Sequence, residues 1–410
     1  MSIRRLAVLS VHSSPLAQPG SGDGGGMSVY VRALAVALAR AGVECDVLVR
    51  REHSDQPAVV EVEPGFRVVH LDAGPQTPVS KHDLMGLVEP MVEATLDLVD
   101  RGEMYDAIHA NYWLSGAVGH RLKHELDKPL VATFHTLARV KADAGIDDDP
   151  ALRARVEHEI VACADLMLAS TISERDQLES LYGADVGRIE IVPPGVDHEI
   201  FHAVSAHQRD AERHSLRIGD APVLLFAGRI QPLKGADLAV QALAELRNPH
   251  AELLIVGGPS GVDGDYELDR LHDLVAKLGL DQRVRFVPPQ THAELARFYR
   301  SVDVCLVPSH SESFGLVALE AAACGTPVVA AAVGGLRSLV EDGITGYLVD
   351  SRDPADFAAP IERLLANPGT AHAMGIAAEA RSRRYAWSMT AARLRRLYTD
   401  LLVREPVSCR

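Results

Sequence analysis

Short runs of aliphatic and β-branched residues alternate along the chain with longer stretches whose apolar positions recur at helical spacing. In the first half these runs are RLAVLSVH, CDVLVR, FRVVHL, YDAIHA, PLVATFH, DLMLAS and IEIVPPG. Runs this short and this uniformly apolar predict strands covered on both faces. Between them lie amphipathic stretches such as MSVYVRALAVALARAG, which follows a glycine cluster and stops at Gly42 with Arg40 in its last turn. Those boundaries are helix C-terminal signals. Strand and helix in alternation predict a parallel sheet with helices on both faces.

The pattern then restarts. PVLLFAG, AELLIVGG, VRFVPP, DVCLVPS, PVVAAAV and GYLVD form a second series of buried-strand runs, again separated by helical stretches. Between the two series, Asp197 to Asp220 is polar and carries no strand signal, as a linker would. The predicted fold class is α/β, with two Rossmann-like, doubly wound parallel-sheet domains facing each other across a cleft and ligands at the carboxyl ends of the strands. Residues 1–200 would form the N-terminal domain and 201–385 the C-terminal one. Residues 386–410 would form a C-terminal helix able to pack back on the first.

Composition narrows the partners. With 410 residues, 47% apolar and 24% charged, the chain is globular and too long for one ordinary core. A formal charge of −15 argues against a nucleic-acid partner, since phosphate neutralisation needs a positive face. Basic residues on loops therefore matter one by one. No apolar run reaches the roughly 18 residues of a membrane span. The opening MSIRRLAVLSVHSSPL lacks a small-residue cleavage pattern, so its apolar core is read as a strand and the protein as cytoplasmic. The five cysteines, Cys45, Cys163, Cys305, Cys324 and Cys409, are too widely spaced for a zinc pattern. They read as small, mostly buried residues in a reducing compartment.

The stretch QPGSGDGGGMSVY, Gln18 to Tyr30, satisfies the dinucleotide fingerprint GxGxxG literally. The match is weak, because five glycines between Gly20 and Gly26 would satisfy many such patterns and SSPLAQP separates the loop from the first strand. The glycines nearest the helix, Gly24 to Gly26, are better placed for a phosphate, because bare backbone amides at a helix N-terminus can approach an anion. No GxxxxGK[ST] occurs, so a P-loop is not supported.

Sharper chemistry lies in the second half. FAGRIQPLKGADLAV puts Arg229 and Lys234 on a strand-to-helix loop, where a directional fork and a point charge could together neutralise a diphosphate. In PSHSESFGLVALEAAACGTPVV, Ser313 reads as a helix N-cap, with the amides of Phe314, Gly315, Leu316 and Val317 free in the first turn. Glu312 and Glu320 are then too far apart to share a proton and would serve different parts of one elongated ligand. Glu320, inside an apolar helix face, calls for a buried partner. In the first half, PLVATFHTLARVK puts His135 and Thr136 at a strand end, where the imidazole could bond a sugar hydroxyl or carry a proton.

Glu312 and Glu320 form an E-x7-E pattern, and with GRIQPLKG, FHT and GGGMSVY the chain resembles family 4 of the retaining GT-B glycosyltransferases along nearly its whole length. Within it, VHSSPLAQPGSGDGGGMSVYV, YWLSGAVG, HTLARVK, GGPSG and SESFGLVALEA are most similar to the mycothiol-pathway subgroup that glycosylates inositol 3-phosphate from UDP-N-acetylglucosamine. The resemblance implies that Gly26, Arg229, Lys234, Gln290, Glu312, Phe314, Gly315, Leu316, Val317 and Glu320 bind the donor. His135, Arg229, Lys234 and Glu312 would act at the reacting centre. Glu320 would take the ribose, and Gln290 the nucleotide through its backbone. It implies an acceptor phosphate held by Lys81, Tyr112, Thr136 and Arg153, with Arg155 a near neighbour of the last, and completed on the acceptor side by His12, Asp23 and Ser28. Two departures concern acceptor hydroxyls. Ser28 stands where the subgroup has Asn, and Asn111 where it has His.

The resemblance implies no required metal, a homodimer, and retention of anomeric configuration. Asp263-Gly264-Asp265 reads DxD, the motif of a metal-dependent GT-A enzyme, but one GT-A domain would leave the second strand series unexplained. A structural Mg²⁺ stays open. The alternatives are a UDP-glucose-dependent transferase to a sugar phosphate or another cyclitol and, from a different class, an NAD-dependent oxidoreductase.

Overall fold

The computed structural model describes residues 2–20, 24–77, 79, 83–143, 150–261 and 264–409. The chain forms two compact units. The first is Met1–Ala17, Met27–Pro193 and Trp387–Arg410; the second is Gln18–Gly26 and Pro194–Ala386.

In the first unit, strands β1 (Arg5–Leu9), β2 (Glu44–Arg50), β3 (Val59–Glu63), β4 (Phe66–Leu71), β5 (Ala107–Asn111), β6 (Leu130–Thr133), β7 (Leu166–Ala169) and β8 (Ile189–Ile191) make one sheet. Their order is β3-β4-β2-β1-β5-β6-β7-β8. All neighbours pair parallel except β3 with β4. The order reverses at β1 and β5, and in doubly wound sheets ligands bind outside the carboxyl ends of the strands at that point. Strand β3 escapes the sequence pattern because it is a half-exposed edge strand, VVEVE, with charges in its alternation.

The Trp387–Leu401 helix buries Ala391, Leu394, Tyr398 and Leu401 in the same cluster as Leu34, Leu38 and Val47. A polar chain threads this core, with the Tyr398 hydroxyl 2.9 Å from His109 Nδ1 and His109 Nε2 2.8 Å from Thr133 Oγ1. Burial pushes the His109 imidazole down to about 3, so it stays neutral and its two ring nitrogens serve one as donor and one as acceptor.

In the second unit, β9 (Val223–Ala227), β10 (Glu252–Val256), β11 (Val284–Val287), β12 (Val304–Val307), β13 (Val328–Ala331) and β14 (Gly346–Val349) pair in parallel. The order β11-β10-β9-β12-β13-β14 is the doubly wound 3-2-1-4-5-6 arrangement, with its switch between β9 and β12. The polar segment before β9 contains a helix, Ala206–Ser215, whose first turn is capped by Ser205 Oγ accepting from Gln208 N.

The cysteines correct the sequence reading in part. Cys45, Cys305 and Cys324 are buried thiols, whereas Cys163 and Cys409, 246 residues apart, are joined as a disulfide with Cα atoms 5.1 Å apart. Spacing along the chain gave no sign of this, because the pair forms only when the C-terminal tail returns to the first sheet.

Candidate functional site

The residues expected on the donor side cluster at the carboxyl edge of the second sheet. Lys234 closes a single 3-10 turn, Pro232–Lys234, after β9, and Glu312 lies on the loop after β12. Their side chains meet at the switch point, Lys234 Nζ donating to Glu312 Oε2 at 2.7 Å, with 27% and 17% of the two side chains exposed. A half-buried cation at that place is held by one carboxylate and keeps donors to spare, since an ammonium has three.

Arg229, on the same loop, bonds Ser260 Oγ at 3.2 Å, and Gln231 bonds the same hydroxyl. Gly25, in the glycine loop, lies against this guanidinium. A Cβ on Gly25 would fall 2.7 Å from Arg229 Cζ, so a side chain there would push the guanidinium aside. Gly258 N donates to Gly20 O at 3.0 Å and Gln18 Nε2 to Gln290 O at 3.2 Å, which moor the loop to the ends of β10 and β11. Gln290 thus uses its carbonyl within the protein, and its side chain bonds Pro288 O. Gly26 opens the Gly26–Arg40 helix.

The predicted cap is displaced. The helix after Glu312 runs Leu316–Ala323, with Gly315 in the N-cap position at φ 105°, a conformation that favours glycine. The cause is packing, because Gly335 N donates to Glu312 O at 2.9 Å and holds the loop extended past Phe314. The first helical amides are therefore those of Leu316 and Val317, with Phe314 and Gly315 on the approach.

Glu320 is buried in that helix, and its Oε2 accepts from the Tyr299 hydroxyl at 3.0 Å. Burial raises its carboxyl to about 7. The folded value therefore lies above the 4.5 of an unhindered carboxyl. The resulting penalty is complete above pH 7 and is relieved as pH falls through 7 towards 4.5. Glu320→Gln should melt above the wild type at pH 8, by at most about 3 kcal/mol in stability, with the gap closing by pH 5. Thermal melts of the ligand-free proteins across that range check this, and a gap independent of pH would contradict it.

In the first unit, His12, Tyr112, Thr136 and Arg153, expected on the acceptor side, gather at the ends of β1, β5 and β6, neighbours in the sheet. Asn111 ends β5, and Tyr112 after it is held at φ 77°; His135 after β6 is held at φ 61°. Non-glycine residues in the left-handed region carry strain, which concentrates where a site fixes them. Tyr112 stacks 4.4 Å from His12 on one side and carries the Arg153 guanidinium 4.8 Å from its ring centre on another. Arg153 Nη2 donates to Thr136 O at 2.6 Å and Thr136 Oγ1 at 3.0 Å, while Nε donates to buried Glu157 at 2.8 Å. Tyr112, Thr136 and Arg153 are thus one cluster, and Arg153, not exposed Arg155, is the arginine in it. Lys81 and Asp23, predicted alongside them, lie outside the described residues.

His135 Nε2 is 3.0 Å from Asn111 Oδ1, and its ring meets Tyr30 edge-on at 4.8 Å. Desolvation, with His109 and His12 adding to it, pushes the partly covered imidazole down to about 3. A neutral ring at pH 7 orients a hydroxyl and is not poised to carry a proton. Ser28 is buried in the Gly26–Arg40 helix. Sequence reasoning treated Asn111 only as a departure, but its fully buried Nδ2 has no partner while its Oδ1 faces His135. Exchanging the amide oxygen and nitrogen would leave the oxygen open instead. In either orientation one polar atom of the buried amide is left over for a further hydrogen bond.

Asp263 of the DxD lies outside the described residues, and Asp265 sits in the first turn of the Gly264–Lys277 helix. No helix among the described residues is long and apolar enough to cross a membrane.

Comparison with known proteins agrees with this layout. A glycosyl transferase 4-like domain matches residues 25–195, and the glycosyl transferases group 1 domain matches residues 208–381. D-inositol 3-phosphate glycosyltransferase of Kineococcus radiotolerans is 48% identical over 95% of this chain and 94% of its own. The protein of the same name from Xylanimonas cellulosilytica is 46% identical over 98% of each. Among solved structures, sucrose-phosphate synthase from Thermosynechococcus elongatus superposes with a TM-score of 0.90, at 35% identity, over 97% of this chain and 99% of that one.

Proposed function

The chain belongs to the group 1 glycosyltransferases of GT-B fold, and from that premise we propose that it moves a hexosyl unit from a UDP-sugar to a phosphorylated cyclitol with retention of configuration. N-acetylglucosamine is the donor sugar and inositol 3-phosphate the acceptor in this reading. The relatives at 46–48% identity carry the name D-inositol 3-phosphate glycosyltransferase. The observation that carries the phosphate is the Arg153, Thr136 and Tyr112 cluster, since a dianion needs several charge-assisted donors in one place.

In the proposed reaction the bond from the anomeric carbon to the diphosphate breaks and the acceptor oxygen bonds that carbon on the same face. The acceptor proton passes to a departing phosphate oxygen. Arg229, Lys234 and the amides of Leu316 and Val317 meet the charge that develops on the diphosphate; Glu312 positions Lys234 and the sugar. Glu320 accepts from the ribose hydroxyls, and neutral His135 with Asn111 orients the donor sugar beside its reacting carbon. Gln290 lines the base through its main chain. His12, Asp23, Ser28 and Lys81 complete the acceptor side.

A second reading has its own support. The synthase at 35% identity is named for a sugar phosphate, and Ser28 lacks the paired donor and acceptor of an amide. UDP-glucose with a hexose phosphate is therefore the runner-up. An NAD-dependent oxidoreductase has lost its ground with the family assignment.

Fixed cations and dipoles supply the charge stabilisation in this mechanism, so no metal is required and a Mg²⁺ near Asp265 would be structural. UDP should raise the melting temperature of the protein in excess chelator as much as without it, while NAD leaves it unmoved. Stabilisation by NAD alone, or by UDP only with Mg²⁺, would contradict the reading.

A further inference from the structure

On the first unit, away from the residues above, four metal-ligating side chains converge. His120 and His124 lie four residues apart on one face of the Tyr112–Leu126 helix. Cys163 ends the Pro150–Cys163 helix, and Cys409 comes from the C-terminal tail. One ligand atom from each lies within 4.8 Å of all the others, and Cys163 Sγ is 3.5 Å from His124 Nε2. A tetrahedral zinc ion with Zn–S of about 2.3 Å and Zn–N of about 2.0 Å has ligand-to-ligand edges of about 3.3–3.8 Å.

We propose that, when Cys163 and Cys409 are reduced, His120, His124, Cys163 and Cys409 bind one zinc-class divalent ion in a closed Cys₂His₂ site, and that the disulfide is the oxidised alternative of the same pair. The donor set suits the ion, since two thiolates and two imidazoles are a structural zinc set. Each half of the exchange balances. A dithiol reductant takes the disulfide to two thiols and is itself oxidised to a disulfide. The ion then displaces the two thiol protons and takes both thiolates and two neutral imidazoles, with no further electron transfer.

The surroundings fix the tail. Buried Lys123, beside His124 on the helix, donates to Cys163 O and to both oxygens of Asp165 at 2.8 Å. Asp165 in turn accepts from Val407 N at 2.6 Å, two residues before Cys409. The place in the fold says what the ion does. A helix that follows a parallel strand runs back along the sheet, so His124 near the end of its helix and Cys163 just before β7 lie at the amino edge, opposite the strand ends that carry Asn111 and His135. The site clamps the chain's last residues to the first unit and takes no part in transfer.

The test uses the full chain, reduced with a dithiol, freed of metal, and titrated with Co²⁺. One ion per chain should give the visible bands of tetrahedral cobalt with a sulfur-to-metal charge-transfer band, and Zn²⁺ should displace it and raise the melting temperature. His120→Ala/His124→Ala should weaken metal binding by more than about 100-fold while leaving UDP-sugar turnover unchanged. Cys163→Ser should remove the charge-transfer intensity of one sulfur. No tetrahedral spectrum from the reduced wild type, or the same spectrum from the double histidine variant, would overturn the proposal.

Discussion

Lys234→Ala is expected to lower kcat by about 100- to 1000-fold with UDP-N-acetylglucosamine and inositol 3-phosphate, the loss seen when one preorganised donor to a developing anion is removed. Lys234 sits at the switch point of the second sheet, 2.7 Å from Glu312, with 27% of its side chain open. In the proposed mechanism it meets the charge that develops on the diphosphate as the sugar leaves. Affinity for the uncleaved UDP-sugar should fall less than kcat, because the charge grows during bond breaking and the ground state feels only part of it. The substitution also leaves Glu312 without its cation. The melting temperature must therefore be read beside the kinetics, so that a misfolded protein is not taken for a catalytic loss. A kcat within a few fold of wild type, in a protein that melts normally, would remove Lys234 from the chemistry.

The second large effect belongs to the acceptor side. Arg153→Lys keeps the charge but gives up the planar fork that spans Glu157 and Thr136 and stacks on Tyr112. Loss of a charge-assisted bond worth about 1.5–3 kcal/mol should raise the acceptor KM by roughly 10- to 100-fold. The donor KM should stay near wild type. Alanine is the poorer probe, since it would strand Glu157, a fully buried carboxylate whose other partners are Ala138 N and the Tyr182 hydroxyl. Equal losses against phosphorylated and unphosphorylated acceptors would place Arg153 in the framework and not at the phosphate.

Hydrophobic pattern carried most of the fold. Thirteen of the fourteen strands among the described residues fall on the apolar runs read from the sequence, because a doubly wound sheet buries both faces and its strands are mostly apolar. β3 is the exception for the opposite reason. It is an exposed edge, where packing does not dictate residue type. The start of the Leu316–Ala323 helix was misplaced because Ser313 is a good cap by type, while the backbone is set by Gly335 bonding Glu312 from a distant loop.

The site shows the same division. Tyr112, Thr136 and Arg153, scattered over 42 positions of sequence, became a cluster only through the adjacent ends of β5 and β6 and the Arg153 bonds to Thr136. Asn111 could be named in the sequence but not weighed, since its orphaned Nδ2 is a property of burial. The His120 and His124 pair is visible in GHRLKHEL as an i, i+4 spacing, yet it means nothing until the chain terminus brings Cys409 to Cys163. Buried titrations are equally invisible. Glu320 near 7 and His135 near 3 follow from what surrounds them, not from residue type.

The central claim is transfer to a phosphorylated acceptor with retention, and proton NMR of the reaction with UDP-N-acetylglucosamine tests it most directly. With inositol 3-phosphate the spectrum should show one new disaccharide-like product whose anomeric coupling is that of an α-linkage, formed as UDP accumulates. Unphosphorylated inositol should give at least about 100-fold less at equal concentration. A β-linked product, or equal transfer to the two acceptors, would contradict the account.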